Sequence, residues 1–142
     1  MNRLAAFLLA LALAAPALAD EFTHYTLTVP MLQKVLPAGQ EIEKKVGKKY
    51  ENSKAAEGMD AEKFAKFVDT IPEPRPILAK YGLSSREFAF AGFALAEAGL
   101  FVMMEPSADK KAAAQLLATY PPETRANIEL LRKHPELMPR DK

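Results

Sequence analysis

A chain of 142 residues with 19 basic and 18 acidic side chains, two histidines, a formal net charge of +1 and no cysteine excludes several kinds of protein at once. Nucleic-acid binding is not expected, because it needs an uncompensated basic surface to release counterions. The lack of cysteine removes disulfides, thiol catalysis, covalently attached haem and thiolate metal sites, and leaves packing as the source of stability.

Residues 1–19 read as a cleavable export signal. Arg3 supplies a positive start, Leu4 to Ala15 is an apolar run too short to span a bilayer, and Ala17-Leu18-Ala19 has the small-x-small pattern of a signal-peptidase site. Cleavage after Ala19 is expected to deliver a periplasmic protein whose single helical domain covers 20–142. Arg3 is the one charge lost, so the mature chain carries 18 basic and 18 acidic residues.

Phe22 to Val29 alternates as an extended arm with Tyr25, Leu27 and Val29 on one side. Thr28 then caps a first helix, Leu27 and Leu32 stand at the two positions of a hydrophobic staple, and Pro30 falls in the first turn, where its missing donor is not required. Leu32, Val35, Leu36, Gly39, Ile42 and Val46 recur at helical spacing against a charged face that includes Lys44, Lys45, Lys48 and Lys49, and that face is expected to be solvated. Pro37 is expected to kink this helix or divide it. A polar loop follows from Glu51 to Gly58. Asp60 caps a second helix with an apolar stripe of Phe64, Phe67, Val68 and Ile71. The alternating prolines of IPEPRP, Ile71 to Pro76, predict a stiff non-helical connector, then a short helix from Ile77 to Tyr81 closing at Gly82.

The stretch GLSSREFAFAGFALAEAGLFVMME decides the fold class. Ser84 and Glu87 form a capping box, Leu83 and Phe88 a staple, and a helix is expected over about 85–104. Ala89, Gly92, Ala96 and Gly99 make a small-residue stripe, while Phe90, Phe93, Leu100 and Phe101 fill other faces. A helix apolar all round is either central in a bundle or in lipid. Two glycines, Glu97 and the amphipathic character of the other helices favour the bundle, with no transmembrane segment in the mature chain. Two further helices are expected: about Ala108 to Thr119, with Leu116, Leu117 and Tyr120 apolar, and another after Pro121-Pro122, burying Ile128 and Leu131 and stopping at His134-Pro135. The prediction is an all-α bundle of four to five helices around the central apolar helix.

Leu83-Ser84-Ser85-Arg86-Glu87-Phe88, leading into an alanine-rich helix and a terminal helix after a proline turn, resembles a family of small secreted bacterial helical proteins with no assigned activity. The resemblance covers about the second half of the mature chain and implies export and a helical fold, but no reaction. The terminal helix departs from the pattern by opening on Pro121-Pro122-Glu123, so no functional residue is carried over.

The candidate ligand-binding residues are Arg86, Glu97, Phe93 and Phe101. Arg86 sits in a first helical turn, where a cation opposes the dipole, and is expected to have a carboxylate partner or an anionic ligand. Glu97 is the single charge of the apolar helix and is expected to be exposed or paired. Arg125 and Asn127 are expected to face solvent. His24 and Met103-Met104 lack spaced partner ligands, so no metal site is expected and the two methionines are read as core filling. In one respect the chain resembles the b-type four-helix-bundle cytochromes, which place a methionine near the start of the first helix and a histidine near the end of the last. Met31 and His134 occupy those ends, and the resemblance implies a haem-binding electron carrier as the alternative function. No nucleophile elbow or phosphate-cradling glycine loop is present. The leading expectation is a non-catalytic periplasmic accessory protein without a cofactor, monomeric or homodimeric, binding an envelope protein, a peptide or a small apolar ligand in an apolar groove between helices.

Overall fold

The computed structural model describes residues 21–50 and 58–138. The export signal over 1–19, its cleavage point and most of the loop expected from Glu51 to Gly58 lie outside the described residues. Among the described residues the fold is all-α, with no strand and six helices: α1 Val29–Tyr50, α2 Ala61–Thr70, α3 Pro74–Lys80, α4 Ser85–Met104, α5 Lys110–Thr119 and α6 Pro122–Lys133. Short 3-10 turns occupy Glu21–His24, Glu105–Ser107 and Pro135–Leu137.

α1 starts where its cap demands. The Met31 N–H donates to Thr28 Oγ1 at 3.3 Å, and Leu27 and Leu32 are both buried. Pro37 does not divide the helix, which runs through it for 22 residues. Leu32 and Val35 before the proline, and Ala38 and Val46 after it, are all buried, so packing on both sides offsets the lost backbone hydrogen bond. α2 is capped by Asp60, whose Oδ1 accepts from the Lys63 N–H at 2.7 Å, and buries Phe64, Ala65 and Val68.

The proline-rich connector corrects the sequence reading. α3 begins at Pro74, not at Ile77, and ends at Lys80, while the six helices agree with the expected four to five around a central one. Pro74 and Pro76 both fall in the first turn, whose N–H groups have no intrahelical acceptor, so neither ring removes a bond the helix would have made. Its C-terminus is a Schellman motif. The Leu83 N–H donates to the Leu78 C=O at 2.9 Å and the Gly82 N–H to the Ala79 C=O at 3.0 Å, with Gly82 at φ 65°. α3 is tied to α1 by Glu41, whose Oε1 accepts from Lys80 Nζ at 2.7 Å and from the Tyr81 hydroxyl at 2.5 Å. These two donors hold the Glu41 carboxyl below its ordinary range.

α4 opens on the predicted capping box: the Glu87 N–H donates to Ser84 Oγ at 3.0 Å, and the Ser84 N–H to Glu87 Oε2 at 2.8 Å. Eleven of its residues are buried. One hydrophobic cluster joins Ala89, Phe90 and Phe93 to α2 and α3 through Phe64, Val68, Ile77 and Leu78. The other joins Ala91, Leu95, Ala98 and Phe101 to the N-terminal arm, α1 and α6 through Leu27, Leu32, Ile128 and Leu131. α4 with its following turn, Ser85–Ser107, is long and apolar enough to cross a membrane by length and composition, and just over half of that apolar window is buried against the rest of the chain.

Replacement of Ser84 by Ala removes one half of the capping box and is expected to lower unfolding free energy by about 1 kcal/mol, measured by urea titration. Glu41 carries a pH signature. A carboxylate whose folded pKa is depressed contributes stability above its unfolded pKa and loses it as pH falls through the folded one. Glu41→Gln is therefore expected to destabilise the protein at neutral pH, with the difference from the parent shrinking as both are titrated into acid.

Candidate functional site

Polar groups meet the apolar interior at a seam between the N-terminal arm, α4 and α6. Asn127 is almost fully buried, at 1% exposure. Its Oδ1 accepts from the Leu27 N–H at 2.8 Å and its Nδ2 donates to the Tyr25 C=O at 2.7 Å. Of the extended arm expected from Phe22 to Val29, Glu21–His24 is a 3-10 turn and Val29 opens α1, so only Tyr25 to Thr28 lies outside helix, and one side-chain amide satisfies backbone groups of that short link. Thr124, equally buried, places its hydroxyl 3.1 Å from the Thr23 C=O and 3.2 Å from Glu97 Oε2. Burial, reinforced by the nearby Glu97 carboxylate, raises the Tyr120 phenol above its ordinary pKa. Burial also raises Tyr25, with the Glu87 carboxylate adding to the shift and Arg86 opposing it.

Asn127 therefore does not face solvent as expected, whereas Arg125 does. The signal was in the spacing: Thr124 and Asn127 stand four and one residues before Ile128, on the same stripe that continues to Leu131. A polar residue on a buried stripe needs partners, and the arm's backbone supplies them.

The second polar arrangement is an open groove of about 470 Å³ between the end of α2, α3 and the start of α4. Leu78, Ala79 and Leu83 give it an apolar lining, and Asp69, Arg75, Ser84, Ser85 and Arg86 a polar one. Asp69 organises the polar side: Ser85 Oγ donates to its Oδ1 at 2.5 Å, and Arg75 Nη2 donates to its backbone C=O at 3.1 Å. Arg86 pairs with Glu62 of α2 and lies over the Phe90 ring, 4.1 Å from its centroid. That partner answers the unfavourable position of a cation in the first turn. Sequence reasoning missed Asp69 and Arg75, although an acid in the last turn of α2 opposes the helix dipole and so signals an outside partner.

The four candidate residues do not meet in one place. Arg86 is at the groove, Phe93 is buried beside Phe64 with ring centroids 5.9 Å apart, and Phe101 is buried at the other end of α4, edge-on to Tyr120 at 5.9 Å. Glu97 belongs to the seam and is half-buried. Met31 lies half-buried at the margin of the core that Leu32 and Leu131 fill, and His134 Nδ1 is 2.9 Å from Glu136 Oε1. His24 pairs with Glu123 at 3.3 Å. Among the described residues no group of three or more His, Cys, Asp or Glu side chains is placed to hold a metal ion. Met103 and Met104 are not core filling. Each is 58% exposed, because the last turn of α4 extends past the elements that cover Phe101.

Comparison of the chain with known protein families, with curated proteins and with solved structures finds no match. The groove consequently has to be read from its own chemistry. It offers apolar surface beside guanidinium groups and a serine hydroxyl held by a carboxylate.

Asn127→Ala leaves the Leu27 N–H and Tyr25 C=O without their partner. It is expected to cost about 2–3 kcal/mol in denaturant unfolding and to remove the hydrogen-exchange protection of the Leu27 amide.

Proposed function

We propose that this chain is an exported, non-catalytic binding protein of the periplasm that holds a short peptide or a small apolar ligand in the groove between α2, α3 and α4. The observation that carries the reading is the pairing of an apolar lining, Leu78, Ala79 and Leu83, with a polar rim already positioned by Asp69 and Glu62. A rim held in place before binding lowers the ordering cost of capture. Arg75 and Arg86 suit a ligand with an apolar body and a carboxylate, since a guanidinium presents its donors in a fork that matches carboxylate geometry. Export is supported by the composition of residues 1–19, and the resemblance to small secreted helical proteins points the same way.

The test is a titration of the isotopically labelled, processed chain with an N-acetylated Leu-Leu dipeptide bearing a free carboxylate. Backbone amide shifts are expected at Leu78, Ala79, Leu83 and Ser85, and Ala79→Trp, which fills the groove, is expected to abolish them. Unchanged spectra up to millimolar peptide, together with no small molecule retained in native mass spectrometry, would refute the reading.

A further inference from the structure

α5 is attached to the molecule by less than the other helices are. α2 has the same length, ten residues, and buries four of them, whereas α5 buries none. Eight of its residues are exposed, and it meets the core only through half-buried Ala113 and Leu117, one turn apart on a narrow stripe. Its hydrogen bonds are local: Asp109 Oδ1 accepts from the Ala112 N–H at 2.9 Å at one end, and the Thr119 hydroxyl donates to the Leu116 C=O at 2.6 Å at the other. Among the described residues no hydrogen bond or ion pair joins α5 to another element. Lys110 and Lys111 in its first turn also oppose the helix dipole. Isolated helices shorter than about 12–15 residues are marginal in water, so the two half-buried side chains carry most of what keeps α5 folded.

The ends of α5 are insulated from their neighbours. Ala108 before it and Tyr120 and Pro121 after it have extended backbone, so the helical hydrogen bonding of the preceding turn and of α6 does not run into it. The elements on either side are joined without it. Arg132 of α6 donates through Nε to Glu105 Oε2 at 3.1 Å and through Nη2 to Glu105 Oε1, a two-bonded clamp onto the turn that ends α4. α6 is held further by its own buried residues, Thr124, Asn127, Ile128 and Leu131. The chain from Ser107 to Thr119 is therefore a loop whose two ends are closed by contacts it does not itself make. At its exit stands Tyr120, edge-on to buried Phe101 with ring centroids 5.9 Å apart.

We propose that α5 is a strap that opens as a unit while the rest of the bundle stays folded, carrying Leu117 and Tyr120 off the core and uncovering Phe101. Opening gives up the partial burial of Ala113 and Leu117 and one aromatic pair, while α4 and α6 keep the Glu105–Arg132 clamp between them. The apolar interior thereby gains an entrance at the end of α4 remote from the groove, which lies beside the first turn of that helix. The strap and the groove rest on different residues, so either reading can fail alone.

Hydrogen exchange of the otherwise unchanged processed chain in low urea is the direct test. The amides of Leu116 to Thr119 are expected to be protected about a hundredfold less than those of fully buried Leu95 in α4 and Ile128 in α6, and to exchange at rates nearly independent of urea, because opening the strap exposes little surface. Equal protection in α5, α4 and α6 would overturn the proposal. A second measurement uses Gln115→Pro, which breaks α5 at an exposed position. This variant is expected to lose the circular dichroism of one short helix, to keep a cooperative urea transition, and to retain the Leu95 and Ile128 protection to within about tenfold. A variant that unfolds altogether would show the bundle to depend on α5 and would refute the strap. The Tyr120 phenol, raised by burial and by the Glu97 carboxylate in the closed molecule, is expected to return to its ordinary range in the same variant, followed by NMR of labelled tyrosine. A Tyr120 titration left unchanged by the substitution would refute the uncovering of Phe101.

Discussion

Covering α4 is the constraint around which the other helices are placed. Its residues are apolar in every direction, so no single neighbour can remove it from water, and a helix of this kind has no stable exposed orientation as a lone element. The chain meets this with two clusters on different parts of its surface. α2 and α3 take the phenylalanines of the first half, while the N-terminal arm, α1 and α6 take the alanine and leucine positions further along. Gly92 and Gly99 are buried in α4, and a Cβ on Gly99 would meet Met138 Cε at an ordinary van der Waals distance of 3.6 Å.

Polar groups are admitted to this interior only with their partners. The link from Tyr25 to Thr28 lies outside any helix, and Asn127 answers one of its donors and one of its acceptors two residues apart. The ion pairs have a different character. Glu41 with Lys80, Lys49 with Glu73 and Arg86 with Glu62 all lie at least partly in solvent, where such pairs orient elements more than they stabilise them. The first two link α1 to α3 and to the residue just before it, and the third links α2 to α4 at the groove.

Coverage of α4 is complete in the middle and fails at its end. Phe101 is closed in by Tyr120, with the Arg132 guanidinium 5.9 Å from its ring centroid, yet Met103 and Met104 two and three residues later stand in the open. α5 does not repair this, because its own contact with the core is a narrow stripe. Among the described residues the large exposed apolar side chains thus fall on the last turn of α4 and on α5, while the polar groove sits near the opposite end of α4.

Much of the helical skeleton was legible in the residues because the signals are local. Thr28, Asp60 and the Ser84 and Glu87 pair each bond within one turn, and Gly82 supplies a left-handed turn that other residues adopt at a cost, so no distant contact is needed to place these ends. The proline connector misled because the same ring that breaks a helix interior is harmless in a first turn, and only the register of α3 decides which applies. The candidate site was far less legible. Arg86 could be marked as needing a partner, but Glu62 and the groove lined by Asp69 and Arg75 arise where three separate helices converge, and pattern along one chain does not state which faces converge. The sequence by itself determined an all-helical chain, its main caps and the uniformly apolar character of α4. Tertiary structure alone decided that Asn127 faces inward, that the two methionines face outward and that Arg86 overlooks a groove, because burial is a property of neighbours brought together across long chain separations.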